Sequence, residues 1–172
     1  MPYLRVANVQ DGWFDLAEMH EIEVDPGQVN RYLLQAGDVL LTEGGDFDKL
    51  GRGGVWRGEV APCLHQNHVF CVRPDTSALL SEYFALATQS GWGRAYFLTC
   101  AKRTTNLASI NSSQLRAFPL PLVSIAKQAD LIENVAGIDA MIDLEERQLE
   151  TLLCLQSEVM SDLLSGHVRV PA

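Results

Sequence analysis

The run Lys102-Arg103-Thr104-Thr105-Asn106 sets two cations, two hydroxyls and a carboxamide in five consecutive positions. Such groups anchor phosphate oxygens and pair with the edges of guanine and adenine. A second cationic set, Lys49, Arg52 and Arg57, flanks a glycine-rich stretch from Gly44 to Gly54. Missing side chains there let a backbone approach a phosphate closely, although glycines also simply turn a chain. We expect Lys49, Arg52, Arg57, Lys102, Arg103, Thr104, Thr105 and Asn106 to form a nucleic-acid face. The bland alternative is that they are solvated loop charges.

A formal net charge of −9 over 172 residues speaks against a polyanionic partner only until its distribution is read. Residues 1–48 carry two basic and ten acidic side chains, and residues 125–172 carry three and nine. Residues 49–124 carry eight basic and three acidic, a local excess of +5. A local basic face, not the total, decides contact with a polyanion.

Metal and catalytic chemistry find little support. Cys63, His65, His68 and Cys71 lie within nine residues, and thiolates and imidazoles bind zinc. Structural zinc sites usually place two ligand pairs on separate turns, whereas alternation along one strand would put His68 on the face opposite the other three. We expect no metal, and four scattered cysteines build no disulfide framework. Pro74-Asp75 followed by Glu82 resembles a nuclease pattern, but the lysine needed two positions after the glutamate is Phe84. No phosphate-binding Gly-x-x-x-x-Gly-Lys-Ser/Thr loop, dinucleotide-binding Gly-x-Gly-x-x-Gly or Asn-Pro-Pro-aromatic methyltransferase tetrapeptide occurs. The expectation is therefore no catalytic residue and no cofactor, a metal-dependent enzyme using Asp46 and Asp48 being a weaker rival.

The elements that would position these residues divide near Ser124. Before it, Tyr3–Val9 alternates like a strand, Asp25-Pro26 opens a short helix that Gly37 closes, and Asp38–Thr42 reads as a buried strand. His65–Arg73 is a further strand, and residues 76–89 carry apolar side chains at helical spacing up to Gly91. Leu107–Ile110 and Ala117–Leu120 read as short strands around a turn at Asn111. The fold class is α+β: a globular domain over residues 1–123, one long helix over 124–166, and a tail over 167–172. With 47% hydrophobic residues and no apolar run of membrane length, we expect a soluble, cytoplasmic protein without a membrane partner.

The long helix carries a coiled-coil seam: Leu131, Val135, Ile138, Ile142, Glu145, Leu149, Leu152, Gln156, Val159 and Leu163. In a parallel dimer Glu145 would face its own copy and bury two like charges. One antiparallel register instead sets Glu145 against Gln156 of the partner, Leu149 against Leu152, Ile142 against Val159 and Ile138 against Leu163. Both polar residues are then matched, so antiparallel pairing is expected, with Gly166 ending the helix.

Several segments, in order, resemble one half of a type I restriction–modification specificity subunit. They are Tyr3-Leu-Arg-Val-Ala-Asn-Val9, Gly37-Asp-Val-Leu-Leu-Thr42, Gly51-Arg52 and Gln66-Asn-His-Val-Phe70. Thr104-Thr-Asn-Leu-Ala-Ser-Ile-Asn111, Leu115-Arg-Ala-Phe-Pro-Leu-Pro121 and Leu163-Leu-Ser-Gly-His-Val-Arg-Val170 complete the series. The resemblance implies a target-recognition domain reading one half of a bipartite site in double-stranded DNA. It also implies a methyltransferase (modification) subunit bringing S-adenosylmethionine and a restriction subunit bringing cleavage. A second copy or sister half would pair through antiparallel helices. The competing expectation is a coiled-coil interaction module without DNA binding. Two departures stand out: Lys127-Gln128 replaces the family's Glu-Gln, and a family half has several tens of residues before the Tyr-Leu-Arg strand. A half-subunit or a fragment of a longer parent is expected.

Overall fold

In the computed structural model, which describes residues 1–45, 50–103 and 108–166, nine short strands and four short helices precede one long helix. They divide into two compact units, Met1–Ile132 and Glu133–Ala172.

The first unit is organised around β3 (Val39–Thr42), whose four residues are all buried. β5 (Gly53–Val55) and β7 (Val69–Val72) pair antiparallel with it on either side. Alternation along β3 sends Leu40 into one core and Val39 and Leu41 into another. A strand covered on both faces reads as a continuous apolar run, which is why Val-Leu-Leu shows no polar alternation. The first core gathers Leu4, Val9, Phe14, Leu34, Trp56, Cys63 and Val69 around Leu40, with Phe14 and Trp56 edge to face at 5.3 Å. In the second, the Phe97 and Phe118 rings stack at 5.4 Å.

Gly53 shows how tight the β3–β5 pairing is: a Cβ there would stand 1.7 Å from the Leu40 carbonyl oxygen. Gly51 combines φ +65° with the Phe97 ring, which an added Cβ would meet at 2.6 Å. Half of the glycine-rich stretch therefore serves the packing of the domain.

Around this sheet the chain is more broken than periodicity suggests. The expected Tyr3–Val9 strand is β1 (Pro2–Leu4) followed by a 3-10 turn, Val6–Asn8. It stops because Asn8 turns inward, donating to the Asp15 and Glu18 carbonyls. β2 (His20–Glu21) and β6 (Leu64–His65) flank β1, the first antiparallel and the second parallel. Asp25 does cap a turn, accepting from the Gly27 N–H at 2.8 Å, but α1 lasts only from Val29 to Tyr32. Leu33 then leaves the helix to bridge Leu64.

The expected strand over 65–73 is two strands, β6 and β7, separated by a turn at 66–68. That turn overturns the strict alternation used to assign His68 a face. The helix expected over 76–89 begins later, as α2 (Ser81–Gln89). A second helix, α3 (Gly91–Cys100), follows immediately, with Ser90 Oγ accepting from the Gly93 N–H. Gly91 and Gly93 concealed it; its packing rests on Phe97, which is completely buried.

Residues 117–120 form no strand. Instead Asn111 and Gln114 make a reciprocal capping box that starts α4 (Ser112–Arg116). Phe118 then packs among Phe84, Trp92, Tyr96 and Phe97. β4 (Gly44–Gly45), β8 (Lys102–Arg103) and β9 (Ala108–Ser109) form a separate small sheet in the order β4-β9-β8.

The long helix, α5, runs from Ile125 to Ser165, close to the expected span, and Gly166 follows with φ +76°. Its first turns belong to the first unit. Gln128 is completely buried there, accepting from the Leu80 N–H at 2.8 Å and donating to the Ala78 and Val123 carbonyls. Tyr83 supports the same junction by donating to the Pro121 carbonyl at 2.6 Å. Among the described residues no helix is long and apolar enough to cross a membrane.

Candidate functional site

Leaving β3 at Thr42, the chain is held by main-chain bonds on both sides. Glu43 N–H donates to the His68 carbonyl at 3.0 Å, and the Glu43 carbonyl accepts from Ile110 N–H at 2.9 Å. Arg52, where the chain returns, accepts the Thr42 N–H at 2.9 Å. β4 then pairs with β9, Gly44 opposite Ser109 and Gly45 opposite Ala108, and β8 pairs with β9 from the other side. Gly45 and Ala108 are the described residues that border segments 46–49 and 104–107. The β4–β9 pairing thus brings together the edges of two chemistry-bearing stretches more than fifty residues apart in sequence.

Of the residues expected to contact a polyanion, Lys102 is exposed on β8, and Arg103 follows it on the same strand. Lys49, Thr104, Thr105 and Asn106 lie outside the described residues, as do Asp46 and Asp48. Arg52 stands where the chain returns to β3, half-buried, and its enclosed Nε meets no hydrogen-bond partner among the described residues. Arg57 is placed differently. Its guanidinium pairs with Glu82 at 2.5 Å, in the first turn of α2, and α2 contributes nothing to the hollow beside β4 and β9. Burial would raise the Glu82 carboxyl, but its own main-chain N–H and the Arg57 guanidinium outweigh it and hold the group below its ordinary range.

Two further polar residues join this region: Glu43, and His68, which the sequence offered only as a zinc-ligand candidate. His68 Nδ1 lies 2.7 Å from Glu43 Oε2. With Lys102 and Ser109, the pair lines a shallow hollow of about 570 Å³ beside the glycines of β4. Only a glutamate directly after a buried strand and a histidine in a Gln-Asn-His turn hinted at them, and nothing local tied the two together.

The other candidate chemistries find structural explanations. Burial pushes the Cys63 thiol up to about 11, and burial with the nearby Asp38 charge pushes Cys71 up to about 12. Neutral thiols are poor ligands and nucleophiles. Among the described residues, no three His, Cys, Asp or Glu side chains gather as metal ligands would. The carboxylates of the nuclease-like pattern are occupied: Asp75 accepts from the Ser77 N–H and hydroxyl, and Glu82 holds Arg57.

Along α5, the seam positions Ile138, Ile142, Leu149, Leu152, Val159 and Leu163 are each 42–63% exposed. Leu131 is 38% exposed, Val135 is half-buried, and the polar members Glu145 and Gln156 are exposed. Within Glu133–Ala172 the described residues therefore present a continuous apolar stripe interrupted at two polar positions.

Comparison with known proteins adds a family context. The chain is 25% identical over 176 aligned positions to the type I restriction enzyme EcoKI specificity subunit of Escherichia coli K12, covering 98% of this chain and 36% of that protein. It is 22% identical to the StySPI specificity subunit of Salmonella potsdam, covering 96% of this chain and again 36% of the relative. The crystal structure of the HsdS subunit from Thermoanaerobacter tengcongensis shares the fold, with a TM-score of 0.69 at 13% identity. That match covers 92% of this chain and 40% of the other. The chain spans well under half the length of the curated relatives it matches. No protein-family model matches it.

Proposed function

We propose that this chain, similar along nearly its whole length to part of a type I restriction enzyme specificity subunit, reads one half of a bipartite site in double-stranded DNA. The observation that carries this reading is the β4–β9–β8 sheet. It joins the foot of the glycine excursion to the strand that carries Lys102 and Arg103, inside the stretch holding the basic excess. Lys102 and Lys49 neutralise phosphates in this reading, while Arg103, Thr104, Thr105 and Asn106 meet base edges. Arg52 and Arg57 flank the face, with Arg57 released from Glu82 or left as a structural pair.

The chain contributes recognition and no catalysis of its own. A modification subunit binds S-adenosylmethionine and transfers the methyl group, a restriction subunit cleaves, and both dock on the helix-bearing specificity component. The α5 seam pairs antiparallel with a second copy or a sister half, setting Glu145 against Gln156 of the partner.

Filter binding to random duplex over a series of salt concentrations tests the DNA face. Binding is expected to weaken steeply with salt, and Lys102→Ala to lower the slope of log K against log salt by about one. Replacing Arg52, Lys102, Arg103 and Asn106 together by alanine should remove most of the binding. Unchanged affinity and slope in that variant would mean the face lies elsewhere.

A further inference from the structure

Glu43 poses a problem for a surface that approaches phosphates, because a carboxylate there repels the DNA backbone. The fold nevertheless fixes it in place. Its main chain is bonded to His68 on one side and Ile110 on the other. Its side chain is only 30% exposed and is bonded through Oε2 to His68. Since an ionised carboxylate can only accept, His68 Nδ1 carries the proton of that bond. The imidazole thus orients the carboxylate and leaves Oε1 without any partner among the described residues. Lys102, a donor, and Ser109, both donor and acceptor, complete the polar lining of the same hollow.

An oriented acceptor is matched by the exocyclic amino groups of the major groove, cytosine N4 and adenine N6. It is mismatched to the N7 and O6 acceptors of guanine and to the thymine O4. We propose that Glu43, positioned by His68, is a specificity-determining residue that accepts a hydrogen bond from such an amino group. This inference rests on the DNA-reading function proposed above. His68 acts through Glu43 and is a positioning residue.

The test is selection from a randomised duplex pool by the full chain, with sequencing of the bound fraction. The unsubstituted chain should enrich a motif containing one position restricted to cytosine or adenine, and the base found there tells which amino group is read. Glu43→Ala should lose a roughly tenfold preference at that position alone and keep the rest of the motif. It should also bind unselected duplex a few-fold more tightly, because a negative charge has left the face. Glu43→Gln keeps the shape of the side chain and should move the preference towards adenine, for which a carboxamide is the bidentate partner. His68→Ala should blur the same position while leaving the others sharp. An identical motif from the unsubstituted chain and from Glu43→Ala, both folded by circular dichroism, would overturn the assignment. Failure of the unsubstituted chain to enrich any motif would overturn the DNA reading itself, and this inference with it.

Discussion

Asp38 is the side chain on which the central sheet turns, and its behaviour is set by burial and pairing together. It is 1% exposed, yet both oxygens meet Arg73, at 2.6 and 2.7 Å, and Oδ2 also accepts the Gln35 N–H. Burial alone would raise the carboxyl; the Arg73 and Gln35 hydrogen bonds outweigh it and hold it below its ordinary value. A depressed folded value means that the contribution to stability is present above the unfolded carboxylate pKa, near 3.9, and is lost as pH falls through the folded one. Arg73→Ala leaves the Asp38 charge without its cation and, because the guanidinium is half exposed, should cost about 1.5–3 kcal/mol at neutral pH. Asp38→Asn keeps an acceptor for Gln35 and should cost about 1.5–3 kcal/mol. Urea denaturation at pH 7 and near pH 3 checks this. The gap between the unsubstituted chain and Asp38→Asn should narrow at the lower pH; an undiminished gap would show that the pair is not what the aspartate contributes.

Among the elements, α5 is joined to the domain through Gln128 in its first turns. Gln128 satisfies the N–H of Leu80 at the head of α2 and the carbonyls of Ala78 and Val123. Gln128→Leu fills similar space but removes the partner of three partly buried main-chain groups, at about 1–3 kcal/mol for each group that water cannot reach. Its melting temperature should fall by several degrees, given about 2–4 °C per kcal/mol for a chain of this size. No change in melting temperature would mean that water replaces the carboxamide at that joint. The same element shows what the sequence makes legible. A 41-residue helix announces itself through an unbroken period and a glycine stop. β3 announces itself through an apolar run buried on both faces. By contrast, α3 opens with Gly-Trp-Gly and is held by tertiary packing of Phe97, so local propensity argued against it. Residues 117–120 alternate like a strand, but Phe118 was drawn into an aromatic cluster supplied by α2 and α3. At the candidate site Lys102 and Arg103 stand out by type and spacing. The Glu43–His68 pair does not, because twenty-five residues and a strand break separate its members.

For the molecule as a whole, the exposed seam of α5 supports the proposed antiparallel pairing. An apolar stripe exposed over several turns costs solubility unless it is covered, and the Glu145 and Gln156 interruptions match each other only when the helices run in opposite directions. Ile142→Glu or Leu149→Glu places an unpaired charge in an apolar layer, at ~3 kcal/mol or more. Multi-angle light scattering should report a dimer for the unsubstituted chain and a monomer for either variant. Dimers persisting in both would exclude the seam as the contact.

The way the candidate reading segments are suspended has a consequence for how such a protein can change. Glu43 and Arg52 are held at the rim of the domain by main-chain N–H and carbonyl groups, and the Gly44–Ser109 and Gly45–Ala108 pairings are main-chain pairings too. Lys102 and Ser109 point into solvent rather than into either core. The exposed side chains along this rim can therefore change, and with them the proposed recognition surface, without repacking Leu40, Phe97 or Trp56. A domain built this way can acquire a new target by drift at its margin while its interior stays the same.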